Sequence, residues 1–551
     1  MTNDPTTRDS VTNGSASPLR PPPDYPDKLD AAVLKVAGVV VLGAIMSILD
    51  ITVVNVALPT FQNAFGTHDS PVSYAHVAWT VTAYTLALAT VIPLSGWAAD
   101  RFGTKRLYML AILLFTLGSA LCSTASTIGM LIGFRVLQGL GGGMLMPLGM
   151  TIMTRAAGPK RMGRLMAVLG VPMLLGPILG PILGGWLIEI ASWHWIFLVN
   201  VPLGVIALVY AWLVLAKDAP EPSESFDFLG MALMSPGLAL FLYGVSSIPG
   251  EGTAAAPKVW ATMLAGAVLM ALFVLHSFRP EHPLIDLRLF RNRNLTLTVI
   301  TMFLFAGAFF GGLLLVPTYF QEVRGESTLQ AGLLVAPQGI GAMLTMPIAG
   351  TLADKLPIGR IVPVGIAVIL VGLLGLTQVG PDTSYAFLIG SLFVMGLGMG
   401  GTMMPLFTAA LKVLRPHEVA RGSTLLNITQ QVASSCGVAL MSVLLTNHLN
   451  SSPVVPGTAQ APQLHGGLTE AGAAIMHQTQ PSFFAQLAAA LHLDPQVVVR
   501  GLEQAASAFA HTYWVAWALV ALTLVPSLML PKRRSAEPEP EAEGEAPVLM
   551  H

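Results

Sequence analysis

Charge is scarce in this sequence: Asp, Glu, Lys and Arg make up 10% of its 551 residues, against 54% hydrophobic ones. With a mean hydropathy of +0.68, the chain cannot clothe a globule for water, which excludes a soluble fold and predicts an all-α integral membrane protein. Cysteine is nearly absent too. Cys122 and Cys436 both fall within apolar stretches, which excludes a disulfide framework and a thiolate metal centre. The net charge is -1 and the basic residues are dispersed, so no nucleic-acid partner is expected. No glycine-rich phosphate loop occurs, so ATP is not the direct energy source. No nucleophile, base and acid gather within the apolar stretches, so the chain does not read as an enzyme. No metal or cofactor is expected.

What is present is a series of about fourteen apolar stretches, each near the roughly 20 residues that cross a bilayer. They begin near Val33, Ala75, Leu107, Ile128, Met162, Trp195, Phe228, Val259, Thr296, Thr328, Gly359, Ser384, Gly422 and His511. The first follows a Pro-rich tail and lacks a small-residue cleavage site, so it reads as a retained span. Lys and Arg crowd into every second connection, including Arg101, Lys105 and Arg106; Arg155, Lys160, Arg161 and Arg164; and Lys412, Arg415 and Arg421. The alternate connections hold only Lys258, Arg324 and Arg500. Basic loops stay on the cytoplasmic side, so both termini are expected inside a cell membrane.

GLGGGMLMPL at Gly139 to Leu148 recurs as GLGMGGTMMPL at Gly396 to Leu406, and GWAADRFGTKR at Gly96 to Arg106 as GTLADKLPIGR at Gly350 to Arg360. Repeats of this length predict two similar helix bundles around a central site. The division expected is a disordered tail over 1–32, a six-helix bundle over 33–216, two inserted helices over 217–295, a second six-helix bundle over 296–530, and a disordered tail over 531–551. Within the second bundle, an outer loop at 447–510 is expected to carry short amphipathic helices from FFAQLAAAL and VVVRGLEQAA. Its histidines, His448, His465, His477 and His492, lack ligand spacing.

The halves differ in charge. Asp50 is the one chargeable residue between Lys35 and His68, and Arg135 the only one between Arg106 and Arg155. An ion at that depth persists only with a partner, a proton or a task. Arg135 aligns with Leu392 in the repeat, and the second half offers no counterpart of Asp50. Gln138 and Gly142 share the helical face of Arg135, suited to cavity lining or to close packing. Gly176, Gly180 and Gly184 recur every fourth residue beside Pro177, Pro181 and Gly185, a spacing that lets another backbone approach. Asn427, Gln430, Gln431 and Ser434 form a polar stripe that can line a cavity or bond a neighbouring helix. Asn55 and Gln338 are further cavity candidates, with Tyr319 and Gln321 weaker ones. A static buried ion pair remains the alternative for Asp50 and Arg135.

LDITVVNVALP (Leu49 to Pro59), GWAADRFGTKR, FRVLQGLGGG (Phe134 to Gly143), GPILGPILGG (Gly176 to Gly185), WHWIFLVNVPLG, PLIDLRLFRNR and YFQEVRGESTLQAGLLVAPQG together resemble the fourteen-span drug:proton antiporters of the major facilitator superfamily. The resemblance implies two six-helix bundles plus two inserted helices. It implies that Asp50 and Arg135 share a cavity and couple transport to protons, the coupling ion. By the same resemblance, the loop of Gly96, Asp100, Arg101, Gly103, Lys105 and Arg106 latches the cytoplasmic gate, and the Gly176 to Gly185 motif marks an antiporting exporter. In the second copy Asp354 is kept but Pro357 interrupts, which puts its latch role in doubt. The implied function is proton-coupled export of amphipathic small molecules, expected to be cationic, and monovalent because only one cavity acid is present, with Arg135 leaving room for neutral or anionic cargo. A dedicated exporter of one metabolite, lipid or siderophore, and a non-transporting receptor or scaffold, stay open beside it. The partners expected are small-molecule substrates and the bilayer.

Overall fold

The computed structural model describes residues 30–532 except 67–71, 73, 158–160, 218–225, 252–254, 281–282, 416–417 and 451–494. The regular elements of the described residues are helices, as a bilayer requires of open-ended chains that must satisfy every backbone group internally. They are α1 (Ala31–Ala64), α2 (Tyr74–Phe102), α3 (Thr104–Cys122), α4 (Ile128–Ala157), α5 (Met162–Ile190), α6 (Trp195–Leu198) and α7 (Asn200–Val214). Next come α8 (Phe228–Glu251) and α9 (Pro257–His276), then α10 (Arg293–Glu322), α11 (Thr328–Lys355), α12 (Ile358–Leu376), α13 (Tyr385–Gly400), α14 (Met403–Lys412), α15 (Val419–Asn450) and α16 (Pro495–Leu528). Thirteen described stretches are long and apolar enough to cross a membrane. The 29-residue α5, charged only at Arg164 and Glu189, makes the fourteenth.

Local chemistry sets the helix ends. The Asp30 carboxylate caps α1 by accepting from the Val33 N–H at 2.8 Å, Ser327 and Gln330 form a reciprocal capping box on α11, and Gly103, at φ 95°, makes the turn from α2 into α3. Two expected spans are broken. The sixth divides into α6 and α7 around Val199, and the twelfth into α13 and α14 around Gly401 and Thr402.

The packing repeats. In the first bundle α2 and α3 lie on α4, α1 on α5, and α3 on α7; in the second α11 and α12 lie on α13, α10 on α15, and α12 on α16. The bundles meet along α5 with α11 and along α2 with α15, two seams related by the same repeat. The inserted hairpin α8–α9 leans on α2 and α15. Met234, Leu238 and Leu242 of α8 share a buried cluster there with Ala89, Ile92, Leu425 and Ile428. The hairpin's base is held by Asp227, which bonds His276 at 2.7 Å and the Gly230 and Leu284 amides.

The outer loop departs from expectation. VVVRGLEQAA is no separate surface helix; it forms the first turns of α16, which starts at Pro495. FFAQLAAAL, His465, His477 and His492 lie outside the described residues, as do most of both tails. His448 stacks on His511 with ring centroids 5.6 Å apart, tying α15 to α16.

Candidate functional site

Asp50 lies within α1, the longest uninterrupted apolar helix of the first bundle, and Arg135 two turns into α4. The structure brings them together: Arg135 Nη1 donates to Asp50 Oδ2 at 2.5 Å, with both side chains fully buried. Gln138, one turn on from Arg135, bridges the pair. Its Nε2 donates to Asp50 Oδ1 at 2.7 Å and its Oε1 accepts from Arg135 Nη1 at 2.8 Å. Arg135 Nε donates to the Thr80 carbonyl at 3.1 Å, and the guanidinium lies over the Tyr84 ring, 4.1 Å from its centroid. Its Nη2 finds no acceptor. A buried ion pair is held only by such added bonds, because each charge gives up its hydration.

Asn200 completes the network and was not singled out from sequence. Its Nδ2 lies 3.4 Å from Asp50 Oδ1 and 3.1 Å from Ser119 Oγ, and Ser119 in turn donates to the Phe197 carbonyl at 2.9 Å. The break between α6 and α7 is what puts Asn200 here, at the first turn of α7. One legible signal was an amide standing alone in the apolar run WIFLVNVPL.

The expected shared vestibule differs from what is observed. Asp50, Arg135, Gln138 and Asn200 are each 0–3% exposed, so Gln138 is a member of the charge network and not a wall of an open cavity. On one side of them Phe61, Phe65, Trp193 and Phe197 form an aromatic cluster with ring centroids 5.2 to 6.3 Å apart. On α5, Gly176 and Gly180 press against Ile48 and Thr52 of α1, and Gly184 against Val53. Thr52 Oγ1 donates to the Gly176 carbonyl at 3.1 Å. The four-residue glycine spacing thus clasps the stretch of α1 that carries Asp50. Gly185 has no atom within 4 Å of where a Cβ would stand, and the side chains of Pro177 and Pro181 lie outside the described residues.

The hydrogen bonds that join the bundles gather at the end bearing loops 96–106 and 350–360. Ser95 bonds Thr424 at 3.1 Å, Gly96 packs against Ala420 and Thr424, and Thr151 bonds Ser423 at 2.9 Å. Asp100 accepts from Arg155 at 3.2 Å within its own bundle and faces the charge of Arg421 across the seam. Lys105 donates to the Trp212 and Leu215 carbonyls at 2.7 Å each, capping the end of α7, while Arg101 and Arg106 are exposed. The second-half copy makes the tighter junction. Asp354 accepts from the Gly163 amide at 2.8 Å and from Arg164 Nε at 3.2 Å, both on α5, and from Lys412 at 3.0 Å. Pro357 does not interrupt it, because α11 has already ended at Lys355 and Pro357 sits at the N-cap of α12.

Asn427, expected in the cavity, is buried in this junction, donating to Ser423 O at 2.7 Å and to Met150 Sδ at 3.4 Å. Gln430 and Gln431 are half-buried and Asn55 is exposed. Tyr319 is bonded to the Gly380 carbonyl at 2.7 Å. Gln338 does line a cavity, of about 30 Å³, walled by Phe305, Phe309, Met395, Met399 and Tyr513 among others. A second cavity, of about 10 Å³, shares Phe305, Phe309 and Met399 with the first and reaches Gly170 and Met173 of α5.

Comparison with known proteins agrees with this architecture. Residues 40–438 match the family model described as Major Facilitator Superfamily. A Mycobacterium tuberculosis protein named Multidrug resistance protein B homolog is 48% identical over 518 residues, covering 93% of this chain and 92% of its own. An uncharacterized MFS-type transporter of Bacillus subtilis, YhcA, is 33% identical over 410 residues, 74% of this chain and 76% of its own. The crystal structure of the human organic anion transporter MFSD10 superposes with a TM-score of 0.56 at 16% identity, covering 89% of this chain and 99% of that one, a likeness of fold.

Proposed function

The chain belongs to the major facilitator superfamily, and on that premise we propose that it is a proton-coupled secondary exporter of amphipathic small molecules, set in the cell membrane with both termini inside. The name of the tuberculosis relative supports drug efflux. Proton coupling is supported by the one observation that carries the reading, a carboxylate and a guanidinium 2.5 Å apart and fully buried in a membrane bundle.

With the basic loops taken as inside, the junction at Ser95, Gly163 and Asp354 closes the cytoplasmic end. In this conformation the ionised Asp50 neutralises Arg135. A proton reaching Asp50 from outside leaves Arg135 as an uncompensated buried cation, which costs several kcal/mol. The conformation that encloses the pair is then disfavoured against one that rewets it. Return to the inward-facing form releases the proton inside, and cargo is carried out on the next passage. Protons thus flow inward as cargo flows outward.

The test is transport in proteoliposomes under an imposed pH gradient. Asp50→Asn is expected to abolish gradient-driven export while the purified protein keeps its elution profile and a cooperative melt, at a lower midpoint because Arg135 loses its counter-charge. Undiminished gradient-driven export by that variant would refute the reading.

A further inference from the structure

The cavity beside Gln338 carries chemistry that the charge network does not. Among its lining residues there is no carboxylate, lysine, arginine or histidine, and its walls are phenylalanine, methionine and aliphatic side chains with the ring of Tyr513. Gln338 is 3% exposed. Its Nε2 donates to the Met399 thioether at 3.1 Å, and its buried Oε1 has no hydrogen-bond partner. A buried acceptor left unpaired is costly, and a site that holds one discriminates strongly for a ligand able to donate to it.

Resting on the exporter reading above, we propose that this cavity is the cargo subsite and that its cargo is a neutral, lipophilic molecule bearing one hydroxyl or N–H donor directed at Gln338 Oε1. A cation entering here would exchange its hydration for one amide oxygen and aromatic faces, with no carboxylate to balance it. Asp50 cannot serve, being engaged by Arg135, Gln138 and Asn200 inside the other bundle. Of the cargo charges left open by the sequence, this favours the neutral one. A donor-free hydrocarbon would fill the walls but leave Oε1 unpaired. Polarisable methionine and phenylalanine side chains accept varied apolar shapes, so the subsite selects by the contact to Gln338 Oε1 and tolerates variation elsewhere.

The cavity's size adds a condition. About 30 Å³ holds little more than a water molecule or two, so cargo enters only when the wall between the two cavities gives way. That wall is Phe305, Phe309 and Met399, lining both. The merged space would extend from Gln338 in the second bundle to Met173 and Gly170 on α5 of the first. Cargo would then touch both bundles, as a molecule that biases their rocking must.

Three probes sharing one ring system test the assignment: 1-naphthol, 1-methoxynaphthalene and N,N,N-trimethyl-1-naphthylammonium. Binding is measured calorimetrically on the full chain in nanodiscs, with empty nanodiscs subtracted. Naphthol is expected to bind about tenfold tighter than its ether, with the ammonium weakest. Gln338→Leu should remove that preference, and Gln338→Met, close in volume, provides the same comparison should the first variant fail to fold. An equal preference in variant and wild type overturns the proposal, as does an ammonium that binds tightest or a failure of all three to bind. No pH gradient enters this measurement, so it can fail while gradient-driven export stands, and the reverse.

Discussion

The first bundle buries a carboxylate, a guanidinium and two amides in mutual contact, whereas at the position repeating Arg135 the second bundle has Leu392, fully buried among apolar neighbours. Carrying the register of the Gly96 and Gly350 motifs back along α2 and α11 sets Tyr84 opposite Gln338. Tyr84 covers the guanidinium and bonds Ser47 at 3.2 Å, while Gln338 opens onto a cavity. The same helix order thus supports two interiors, one closed around charge and one loosely filled. A polar cluster is stable only when fully satisfied, so the half that holds the charges is the half that can least admit a guest.

The sharpest way to break the contrast is to unpair the charges. Arg135→Met leaves Asp50 alone in the bundle and is expected to lower stability by ~3–5 kcal/mol, read as a melting shift in detergent. Adding Asp50→Asn should restore most of that loss, and a double variant as unstable as the single would mean that packing, not charge, is at stake. Next in size is the clasp of α5 on α1. Gly180→Val drives a side chain into Thr52 and should cost ~1–3 kcal/mol by overpacking. Gly185→Ala, facing open space, should stay within about 0.5 kcal/mol; equal effects at both sites would undo the clasp.

Smaller changes sharpen the comparison between the two motif loops. Asp354→Asn removes a charged acceptor from the Gly163 amide and from Arg164 and Lys412. Hydrogen exchange at Gly163 and Arg164 should quicken by roughly ten- to a hundredfold, in keeping with ~1.5–3 kcal/mol for bonds to charged groups. Unchanged exchange would place the closure with Gly96 and Asp100 instead. The least effect is expected at Asp30, whose carboxyl is held below its usual 3.8 mainly by the Val33 N–H, with Arg161 assisting. A depressed native pKa stabilises the start of α1 fully above 3.8 and ceases to as pH falls through the native value. Protection of the first turn of α1 should therefore decline in acid, and should be pH-independent there in Asp30→Ala.

Much of this was legible because the bilayer penalises exceptions. Asp50 and Arg135 stand out in apolar runs, and the four-residue glycine spacing announced a close helix contact. Gln138 was legible as a neighbour of Arg135, but spacing along one helix could not tell a cavity wall from a bridge to another helix. Asn200 was missed because its inward turn depends on the break after Leu198, a tertiary event. Asp354 was discounted on account of Pro357, which belongs to the next helix. The cavity was illegible for a different reason: Phe305, Gln338, Met399 and Tyr513 come from four helices far apart in sequence, and only packing assembles them.

The hairpin α8–α9 leaves the two seams unlike. Along α2 and α15 the joint is backed by Met234, Leu238 and Leu242, while at the other seam Ile340, Leu344 and Ile348 of α11 are more than half exposed. Among the described residues, one flank is walled by the hairpin and the other is bare. In a bilayer, acyl chains would meet the α5–α11 joint directly and the α2–α15 joint only across the hairpin.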